Sequence, residues 1–315
     1  MSDPAETPTR SGFVGLAGRP NAGKSTLTNA IVGAKVAIVA ERPQTTRRAV
    51  RGIATDPAQR NQIVLVDLPG VQRPRDALTE RMQRRVEREL RDADAVLLVI
   101  NGEEGVGAGD RFIANTLLRA SRLTGTEEST DTARTPVICA VNKCDRLNNA
   151  ETAVVLSAAA ELGVVDEVFP ISARSGEGLE VLVEHLAKLM PEGPLLYPPE
   201  DHSDQPSELL LAELIREQVL RRTREELPHA VEVHVDEIDQ RADGLVTVKA
   251  QIWAESESQR GILIGRDGRM VRDIGKAARK ELERELGTQV YLDLTVQARG
   301  RWRRDDGLLD RLGIE

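Results

Sequence analysis

The feature that most constrains this chain is the segment 18–25, whose sequence is G-R-P-N-A-G-K-S. It follows an apolar run, 13–17, that is typical of a buried strand, and it leads into residues 26–32, which are typical of the first turns of a helix. Backbone N–H groups of such a glycine-rich loop can surround the phosphates of a nucleotide, and the start of the helix adds positive potential. The pattern therefore predicts a strand, a phosphate-binding loop and a helix within an α/β domain.

The side chains of this loop fit the chemistry of a nucleoside triphosphate. Lys24 is placed to reach the β- and γ-phosphates, and the Ser25 hydroxyl is placed to hold Mg²⁺. Asn21 in this loop is a candidate ligand for K⁺. The residues expected to contact the nucleotide here are Gly18, Arg19, Pro20, Asn21, Ala22, Gly23, Lys24, Ser25 and Thr26.

A second motif identifies the base. Asn142, Lys143 and Asp145 follow the apolar run 137–141 as N-K-x-D, about 120 residues after the phosphate loop. Asp145 can accept hydrogen bonds from N1 and N2 of guanine, whereas adenine lacks these donors and would leave a desolvated carboxylate unpaired. We expect the Lys143 stem to lie across the base and Asn142 to tie this loop to the phosphate loop. The nucleotide predicted is therefore GTP or GDP.

A third segment is expected to complete the base pocket. Ser172, Ala173 and Arg174 follow the apolar run 168–171. A backbone N–H of this segment is predicted to donate to guanine O6.

Residues that respond to the γ-phosphate are expected between these motifs. Asp67, Leu68, Pro69 and Gly70 follow the apolar run 63–66 as D-x-P-G. Asp67 is predicted to orient Mg²⁺ through a water, and the Gly70 N–H to sense the γ-phosphate. The catalytic set therefore comprises Lys24, Thr46, Asp67 and Gly70, and the Mg²⁺ set comprises Ser25, Thr46 and Asp67.

One threonine upstream of this motif should coordinate Mg²⁺ only when GTP is bound. Residues 44–47 read Q-T-T-R, and such segments are ordered by GTP and released on hydrolysis. We favour Thr46 over Thr45 because it directly precedes Arg47.

The residue after D-x-P-G is Val71, where Ras-like GTPases carry the glutamine that orients the attacking water. An apolar side chain cannot orient water, so slow intrinsic hydrolysis is predicted. Water is then positioned by backbone, by another residue or by a bound partner. A K⁺ ion held by Asn21 is the hypothesis for what replaces an arginine finger.

Composition excludes several classes of protein. The chain has a net charge of −8 and no apolar run near the roughly 20 residues that cross a bilayer. Its polar first residues lack an apolar signal region. Cys139 and Cys144 are the two cysteines, and they fit reduced thiols rather than a zinc site or a disulfide. A cytoplasmic protein is predicted.

Two domains are predicted from the alternation of apolar and polar segments. We expect a disordered tail over 1–11, an α/β domain over 12–190 with a mostly parallel six-stranded sheet, and a linker over 191–206 that carries five prolines. A charged helix is predicted over 78–92 and an exposed insertion over 124–135, to which no role is assigned. A second domain is predicted over 207–300, followed by a basic tail or short helix over 301–315.

The second domain has the order of elements of a bacterial, type II KH domain. A helix at 209–227 and strands at 231–235 and 245–253 precede an I-G-x-x-G core, and a helix to 286 and a strand at 290–296 follow it. The glycines let the loop backbone approach the phosphates of about four single-stranded nucleotides. The residues predicted to bind RNA are Ile264, Gly265, Arg266, Asp267, Gly268, Arg269, Arg272 and Lys276.

Charge supports RNA binding only locally. Residues 205–315 carry 19 basic and 22 acidic side chains, but the window 260–280 carries seven basic and two acidic ones. A local basic stripe can hold RNA on an acidic protein. Trp302 is placed either to stack on a base or to pack against the last strand, and the sequence leaves both open.

On these motifs the chain resembles the bacterial Era family of GTPases, from about residue 13 to the C-terminus. The resemblance implies GTP hydrolysis with Mg²⁺, binding to the 3′ end of 16S ribosomal RNA and assistance in 30S subunit maturation. It also implies a cytoplasmic monomer with a peripheral inner-membrane fraction. The chain departs from the family pattern at Leu68, which replaces the usual threonine, and in the long 124–135 insertion.

The expected mechanism couples the two domains, with nucleotide state gating the Gly265–Gly268 clamp through the 78–92 helix. Two alternatives stay open. One is a GTP-gated scaffold for which hydrolysis is incidental, and the other is a signalling GTPase whose KH-like domain binds protein.

Overall fold

The structure, a computed structural model, describes residues 9–39, 46–56, 58, 60–70, 76–123, 134–223, 225 and 227–314. These residues form two compact units. The first contains residues 9–37, 46–70 and 83–204, and the second contains residues 38–39, 76–82 and 205–314. Gln44, Thr45, Val71 and most of the 124–135 insertion lie outside the described residues.

The first unit is built on a six-stranded sheet in the order β2-β3-β1-β4-β5-β6. Its β2 runs antiparallel to β3, and the other neighbours pair in parallel, so the predicted mostly parallel sheet is confirmed. The strands are β1 (Arg10–Ala17), β2 (Val50–Asp56), β3 (Asn61–Asp67), β4 (Ala95–Asn101), β5 (Val137–Asn142) and β6 (Glu167–Pro170). The helices are α1 (Lys24–Val32), α2 (Ala77–Asp92), α3 (Ala108–Leu123), α4 (Asn149–Ala160) and α5 (Leu179–Leu189).

The central strands are apolar because helices cover both faces of the sheet. Every residue of β3, β4 and β5 is buried. The carboxyl ends of β1, β3 and β5 lie at one edge of the sheet, where Leu16 pairs with Asp67 and Asn101 pairs with Asn142. The polar residues that follow these strands therefore converge there, as ligand sites of open α/β sheets do.

The structure differs from the predicted linker over 191–206, because its first part is fixed to the sheet of the first unit. The Ile53 N–H donates to the His202 carbonyl at 2.8 Å, and the Ser11 N–H donates to the Pro191 carbonyl at 3.1 Å. The fully buried Gln62 accepts from the N–H groups of Leu196 and Tyr197. Prolines prevent a regular strand here, but an extended segment still pairs with backbone groups at the sheet margin.

The same contacts explain why the predicted tail over 1–11 is too long. Strand β1 begins at Arg10, and the Ser11 side chain is buried, with its Oγ donating to the Pro194 carbonyl at 2.5 Å.

The second unit contains a three-stranded sheet in the order β7-β8-β9. Strand β8 pairs antiparallel with β7 and parallel with β9. The elements are α6 (Ser207–Arg222), α7 (Leu227–Ala230), β7 (Glu232–Gln240), β8 (Val246–Ala254), α8 (Glu257–Ile264), α9 (Arg269–Leu286), β9 (Val290–Ala298) and α10 (Asp306–Arg311). Helix α9 packs on the sheet through Ile274, Ala278 and Leu282, which recur at a spacing of four and share one face.

The C-terminal segment is packed into the second unit. Trp302 is fully buried, and its Nε1 donates to the Ala230 carbonyl at 3.1 Å. It belongs to an apolar cluster with Trp253 of β8 and Leu309 of α10. The base-stacking alternative for Trp302 is therefore wrong, because the indole is withdrawn from solvent and its N–H is used within the fold. In the part of the chain that the structure describes, no helix is long and apolar enough to cross a membrane.

Candidate nucleotide and RNA sites

The phosphate loop turns tightly because two of its glycines leave no room for a side chain. A Cβ on Gly18 would lie 2.5 Å from the Val99 carbonyl oxygen, and one on Gly23 would lie 2.3 Å from Asn142 Nδ2. Gly23 also has φ 96°, which a residue with a side chain rarely adopts, and α1 begins at the next residue. The loop backbone is thereby held against the ends of β4 and β5.

Lys24 is buried at the centre of this loop. Its Nζ donates to the carbonyls of Gly18 at 3.0 Å and Arg19 at 3.3 Å. Burial lowers the pKa of Lys24, and the Asp67 charge opposes that shift. A buried ammonium group that is held by carbonyls alone is a favourable partner for a phosphate oxygen.

Ser25, Thr46 and Asp67 form an oxygen cluster beside Lys24. Ser25 Oγ donates to Asp67 Oδ2 at 2.6 Å and lies 3.2 Å from Thr46 Oγ1. Asp67 is fully buried, and its Oδ1 has no hydrogen-bond partner among the described residues. Burial raises the pKa of Asp67, against the effects of Lys24 and the two hydroxyls. A carboxylate with a spare oxygen beside two hydroxyls is the hard donor set that Mg²⁺ takes, so these residues fit the ion.

Gly70 lies directly against the phosphate loop. A Cβ on Gly70 would approach Pro20 Cγ to 3.0 Å, so a side chain there would displace the loop. Leu68 is fully buried in a small apolar cluster with Val66 and Val86. Leu68 is therefore a core residue, and the replacement of the usual threonine by leucine affects the core. Pro69 and Gly70 continue the chain towards the site.

Asn142 joins three loops. Its Nδ2 donates to the Ala22 carbonyl at 3.0 Å, and its Oδ1 accepts from the N–H groups of Ala173 at 2.9 Å and Lys143 at 2.8 Å. It is 2% exposed, so each of these groups would be left unpaired without it. The predicted tie to the phosphate loop is present, and the link to Ala173 is an addition that the sequence did not indicate.

The residues predicted to read the base follow the carboxyl ends of β5 and β6. The Asp145 carboxylate is exposed in the short helix Cys144–Arg146, and no described side chain is hydrogen-bonded to it. Lys143 has φ 69°, and its Nζ lies 3.5 Å from Glu103 Oε2. In the Ser172–Arg174 turn the Ala173 N–H is used by Asn142, whereas the Arg174 N–H has no acceptor among the described residues. The turn therefore keeps one backbone donor for a base carbonyl.

The remaining predicted nucleotide residues differ in placement. Arg19 is turned towards the loop after β4, where its guanidinium pairs with Glu104 and Asp110, each at 2.8 Å. Asn21 is exposed with φ 63°, and Thr26 lies in the first turn of α1. Sequence reasoning missed Asp110, because an acidic residue in the first turn of a helix, here α3, is common and does not indicate a partner.

A tight turn with the sequence Gly265-Arg-Asp-Gly268 precedes α9. Gly265 has φ 71°, and a Cβ there would lie 2.7 Å from the Met270 Cβ. Gly268 and Asp267 also have positive φ values of 73° and 53°. Arg272 Nη2 donates to the Asp267 carbonyl at 3.1 Å, which holds the turn at the start of α9, where the helix dipole favours phosphate.

A groove of about 420 Å³ runs from this turn between α9 and β9. Three of the predicted RNA residues line this groove: Gly268, Arg272 and Lys276. Arg266 and Arg269 are exposed and flank Gly268 in the sequence. Ile264 packs partly against the core. The full lining is Gly268, Val271, Arg272, Gly275, Lys276, Arg279, Tyr291, Leu292 and Leu294. Five of these lie outside the Gly-x-x-Gly motif and the basic residues of the window 260–280, and the sequence reasoning missed them: Val271, Gly275, Tyr291, Leu292 and Leu294.

A phosphate loop, an N-K-x-D turn and a D-x-P-G turn on one edge of a parallel sheet define the class of P-loop GTPases, here followed by a KH domain. Residues 13–143 match the family described as 50S ribosome-binding GTPase, and residues 226–303 match the KH domain family. The chain is 44% identical over 311 residues to GTPase Era of Mycobacterium tuberculosis strain H37Rv, covering 98% of this chain and 100% of that one. The chain belongs to the Era family of GTPases.

Two solved structures have the same architecture over nearly the whole chain. One is a tyrosine-to-alanine variant of Aquifex aeolicus Era bound to GDP and AlF₄⁻. The other is Era in complex with MgGDPNP and nucleotides 1506–1542 of 16S ribosomal RNA. Each has a TM-score of 0.89 and 33% identity, covering 97% of this chain and 99% of the other.

Proposed function

We propose that this chain binds GTP with Mg²⁺, hydrolyses it, and binds the 3′ end of 16S ribosomal RNA through its KH domain during 30S subunit assembly. The observation that carries the proposal is the partly buried Ser25–Thr46–Asp67 oxygen cluster beside Lys24, on a chain that also presents a basic KH groove. A relative with the same domains has been solved with MgGDPNP and 16S RNA nucleotides, which supports both halves.

Different residues of this site are proposed to contact the phosphates, Mg²⁺ and the base. Lys24 neutralises the β- and γ-phosphates, and loop N–H groups before α1 hold the α- and β-phosphates. Ser25 and Thr46 would hold Mg²⁺, with Asp67 orienting the ion through a water, and Mg²⁺ would neutralise charge that develops on the phosphates. Asp145 accepts from guanine N1 and N2, and the Arg174 N–H donates to O6, while Lys143 lies along the base.

Nucleotide state gates RNA binding in this proposal. The segment that follows Gly70 leads to residues that pack within the second unit. Arg81 pairs with Asp306 at 2.7 Å and with Asp310 at 2.6 Å, and Leu78 packs in the Trp302 cluster. Because Gly70 precedes these residues closely in the sequence, a change at Gly70 that depends on the γ-phosphate is expected to alter their pairing with the C-terminal segment.

Gating predicts that RNA affinity differs between nucleotide states by about fivefold or more, the lower range of typical coupling free energies. The measurement is binding of labelled RNA of nucleotides 1506–1542 to the full chain with GDPNP or GDP. Thr46→Ala should remove the difference, and Thr46→Ser, which keeps the hydroxyl, should retain it. Equal RNA affinity with both nucleotides in the wild-type chain would contradict gating.

Slow hydrolysis assisted by K⁺ completes the proposed activity. Asn21 is exposed in the phosphate loop, three residues before Lys24, where a cation can neutralise the same phosphates as an arginine finger. GTP turnover should fall at least about tenfold when K⁺ is replaced by Na⁺. Asn21→Ala should turn over slowly in both salts. Turnover that does not depend on the cation would rule out this role for Asn21.

Localisation and assembly are proposed on family membership alone: a cytoplasmic monomer with a peripheral inner-membrane fraction, acting on the 30S subunit. Cell fractionation and sedimentation with 30S subunits test these points.

Single-turnover hydrolysis with and without RNA and 30S subunits separates the proposed function from a GTP-gated scaffold for which hydrolysis is incidental. Crosslinking in cells that recovers protein and no RNA would favour the signalling alternative.

A further inference from the structure

Two adjacent carboxylates, Glu103 and Glu104, follow the end of β4. They belong to residues 101–110, which run from the last residue of β4 into the first turn of α3 and are called the β4–α3 connection below. Glu104 pairs with Arg19 of the phosphate loop, and Glu103 pairs with Lys143 of the N-K-x-D turn. One short connection is therefore bound to both of the loops that are expected to hold the nucleotide.

On the phosphate side, Arg19 is held at each nitrogen of its guanidinium. Its Nη1 donates to Glu104 Oε2 at 2.8 Å, and its Nη2 donates to the Gly105 carbonyl at 3.1 Å. Its Nε lies 2.8 Å from Oδ2 of Asp110, a fully buried carboxylate that also accepts from the Gly107 N–H at 2.9 Å. The Arg19 side chain is therefore engaged by the β4–α3 connection and is turned away from the phosphates.

The stem of Arg19 also occupies a space that the connection leaves for it. Gly109 lies in the first turn of α3, and a Cβ there would lie 2.6 Å from Arg19 Cδ. Glycine is less favourable than alanine in a helix, so the Arg19 stem supplies a reason for a glycine here. The Arg19 carbonyl accepts from Lys24 Nζ at 3.3 Å. The connection thus fixes the same stretch of backbone that holds Lys24.

On the base side, Glu103 binds residues on both sides of Asp145. Both of its carboxylate oxygens accept from Arg146 Nη1 at 3.0 Å, and Oε2 lies 3.5 Å from Lys143 Nζ. The hydrogen bond from Arg146 lowers the pKa of Glu103, so this side chain is charged at neutral pH. Glu103 therefore restrains the turn that carries the predicted base-reading carboxylate.

Asn101 fixes the two carboxylates relative to the sheet. It is 3% exposed at the end of β4, where its Nδ2 donates to Glu104 Oε1 at 2.7 Å. Its Oδ1 accepts from the Glu103 N–H at 3.1 Å. The Gly102 N–H donates to the Asn142 carbonyl at 2.8 Å, which joins the connection to the end of β5. The connection is thus anchored to two strands and can transmit restraint from one loop to the other.

We infer that Glu103 and Glu104 are positioning residues that set the separation between the phosphate loop and the N-K-x-D turn. Glu104 acts on the phosphate loop through Arg19, and Glu103 acts on the turn through Lys143. A nucleotide that spans both loops then meets them already ordered, so less freedom is lost when it binds. The inference rests on the proposed GTP binding and adds residues that act through other side chains.

The test compares the affinity of the full chain for GDP and for inosine diphosphate, which lacks the 2-amino group of guanine. Glu104→Ala should weaken both ligands by a similar factor of at least about three, because both carry the same phosphates. Glu103→Ala should weaken GDP more than inosine diphosphate, so that the preference for GDP falls at least about threefold. Both losses should appear as faster dissociation.

Two further variants test the phosphate side without removing a carboxylate. Arg19→Lys keeps a positive charge beside the buried Asp110 but lacks the planar fork that binds several acceptors at once. Gly109→Ala changes no charge and displaces the Arg19 stem. Each should reproduce the effect of Glu104→Ala, with equal weakening of GDP and inosine diphosphate.

Glu184→Ala is the matched control, because Glu184 is an exposed carboxylate on α5 of the same unit and should bind both ligands like the wild type. Thermal unfolding should be unchanged in Glu103→Ala and Glu104→Ala, since both side chains are exposed. Wild-type affinity for both ligands in these two variants would overturn the inference and leave the proposed GTP binding intact. Equal weakening of both ligands in Glu103→Ala would overturn the role of Glu103 in positioning the turn. A wild-type chain that binds no GDP would overturn the proposed function as well.

Discussion

Replacing Asp145 with asparagine should lower GTP affinity at least about 100-fold and make the chain prefer xanthosine triphosphate. In the proposed function the Asp145 carboxylate accepts hydrogen bonds from guanine N1 and N2, and hydrogen bonds to a charged group contribute about 1.5–3 kcal/mol each. An asparagine presents an NH₂ group to the guanine amino group, so one bond is lost and two donors face each other. Xanthine carries a carbonyl at that position and accepts from the amide. Competition between the two triphosphates in calorimetric titrations measures the change.

The matched control is Asp239→Asn, which alters an exposed carboxylate on β7 in the second unit. Both substitutions are at exposed positions, so each should change the free energy of unfolding by less than about 0.5 kcal/mol. Loss of GTP affinity in Asp145→Asn then reports the base contact and not the fold. An Asp145→Asn variant that still prefers GTP would refute the assignment of guanine recognition to this residue.

Replacing Gly268 with aspartate should abolish RNA binding and leave GTP affinity unchanged. Gly268 has φ 73°, a conformation that aspartate tolerates better than most residues, so the turn can form. The new Cβ would lie 3.7 Å from Arg272 Nη2, so the carboxylate would pair with a guanidinium of the groove. It would also place a negative charge at the start of α9, where a phosphate is expected. We expect a loss of at least about 100-fold, measured by RNA titration.

Gly244→Asp is the control for this substitution. Gly244 lies in the turn between β7 and β8, has φ 83°, and has no atom within 4 Å of an added Cβ. It therefore matches Gly268 in backbone strain and added charge but lies in a different turn of the same unit. RNA affinity should fall in Gly268→Asp alone. A similar loss in both variants would assign the effect to folding or net charge and not to the groove.

Short-range patterns determined most of the nucleotide site. Short motifs place these residues, because a strand, a tight turn and a helix start are each encoded by a few consecutive residues. This applies to the loop glycines, Lys24, Ser25 and Asp67. The order of elements in the KH domain was predictable for the same reason. Boundaries were less so, and the pairing of the predicted linker over 191–206 with the first sheet was not foreseen, because its partners, Ile53 and Gln62, lie far from it in the sequence.

Contacts between distant residues were decided only by the tertiary structure. The buried amide of Asn142 is hydrogen-bonded to the backbones of Ala22 and Ala173. Arg19 forms an ion pair with Asp110, and Trp302 packs against residues from three separate stretches of the chain. The groove beside Tyr291 is of the same kind, because α9 and β9 each contribute one wall. Sequence periodicity shows which face of an element is polar, but not what it faces. The sequence thus determined that this chain is a GTPase with a KH domain, and the packing of its elements decided which residues line the groove between α9 and β9.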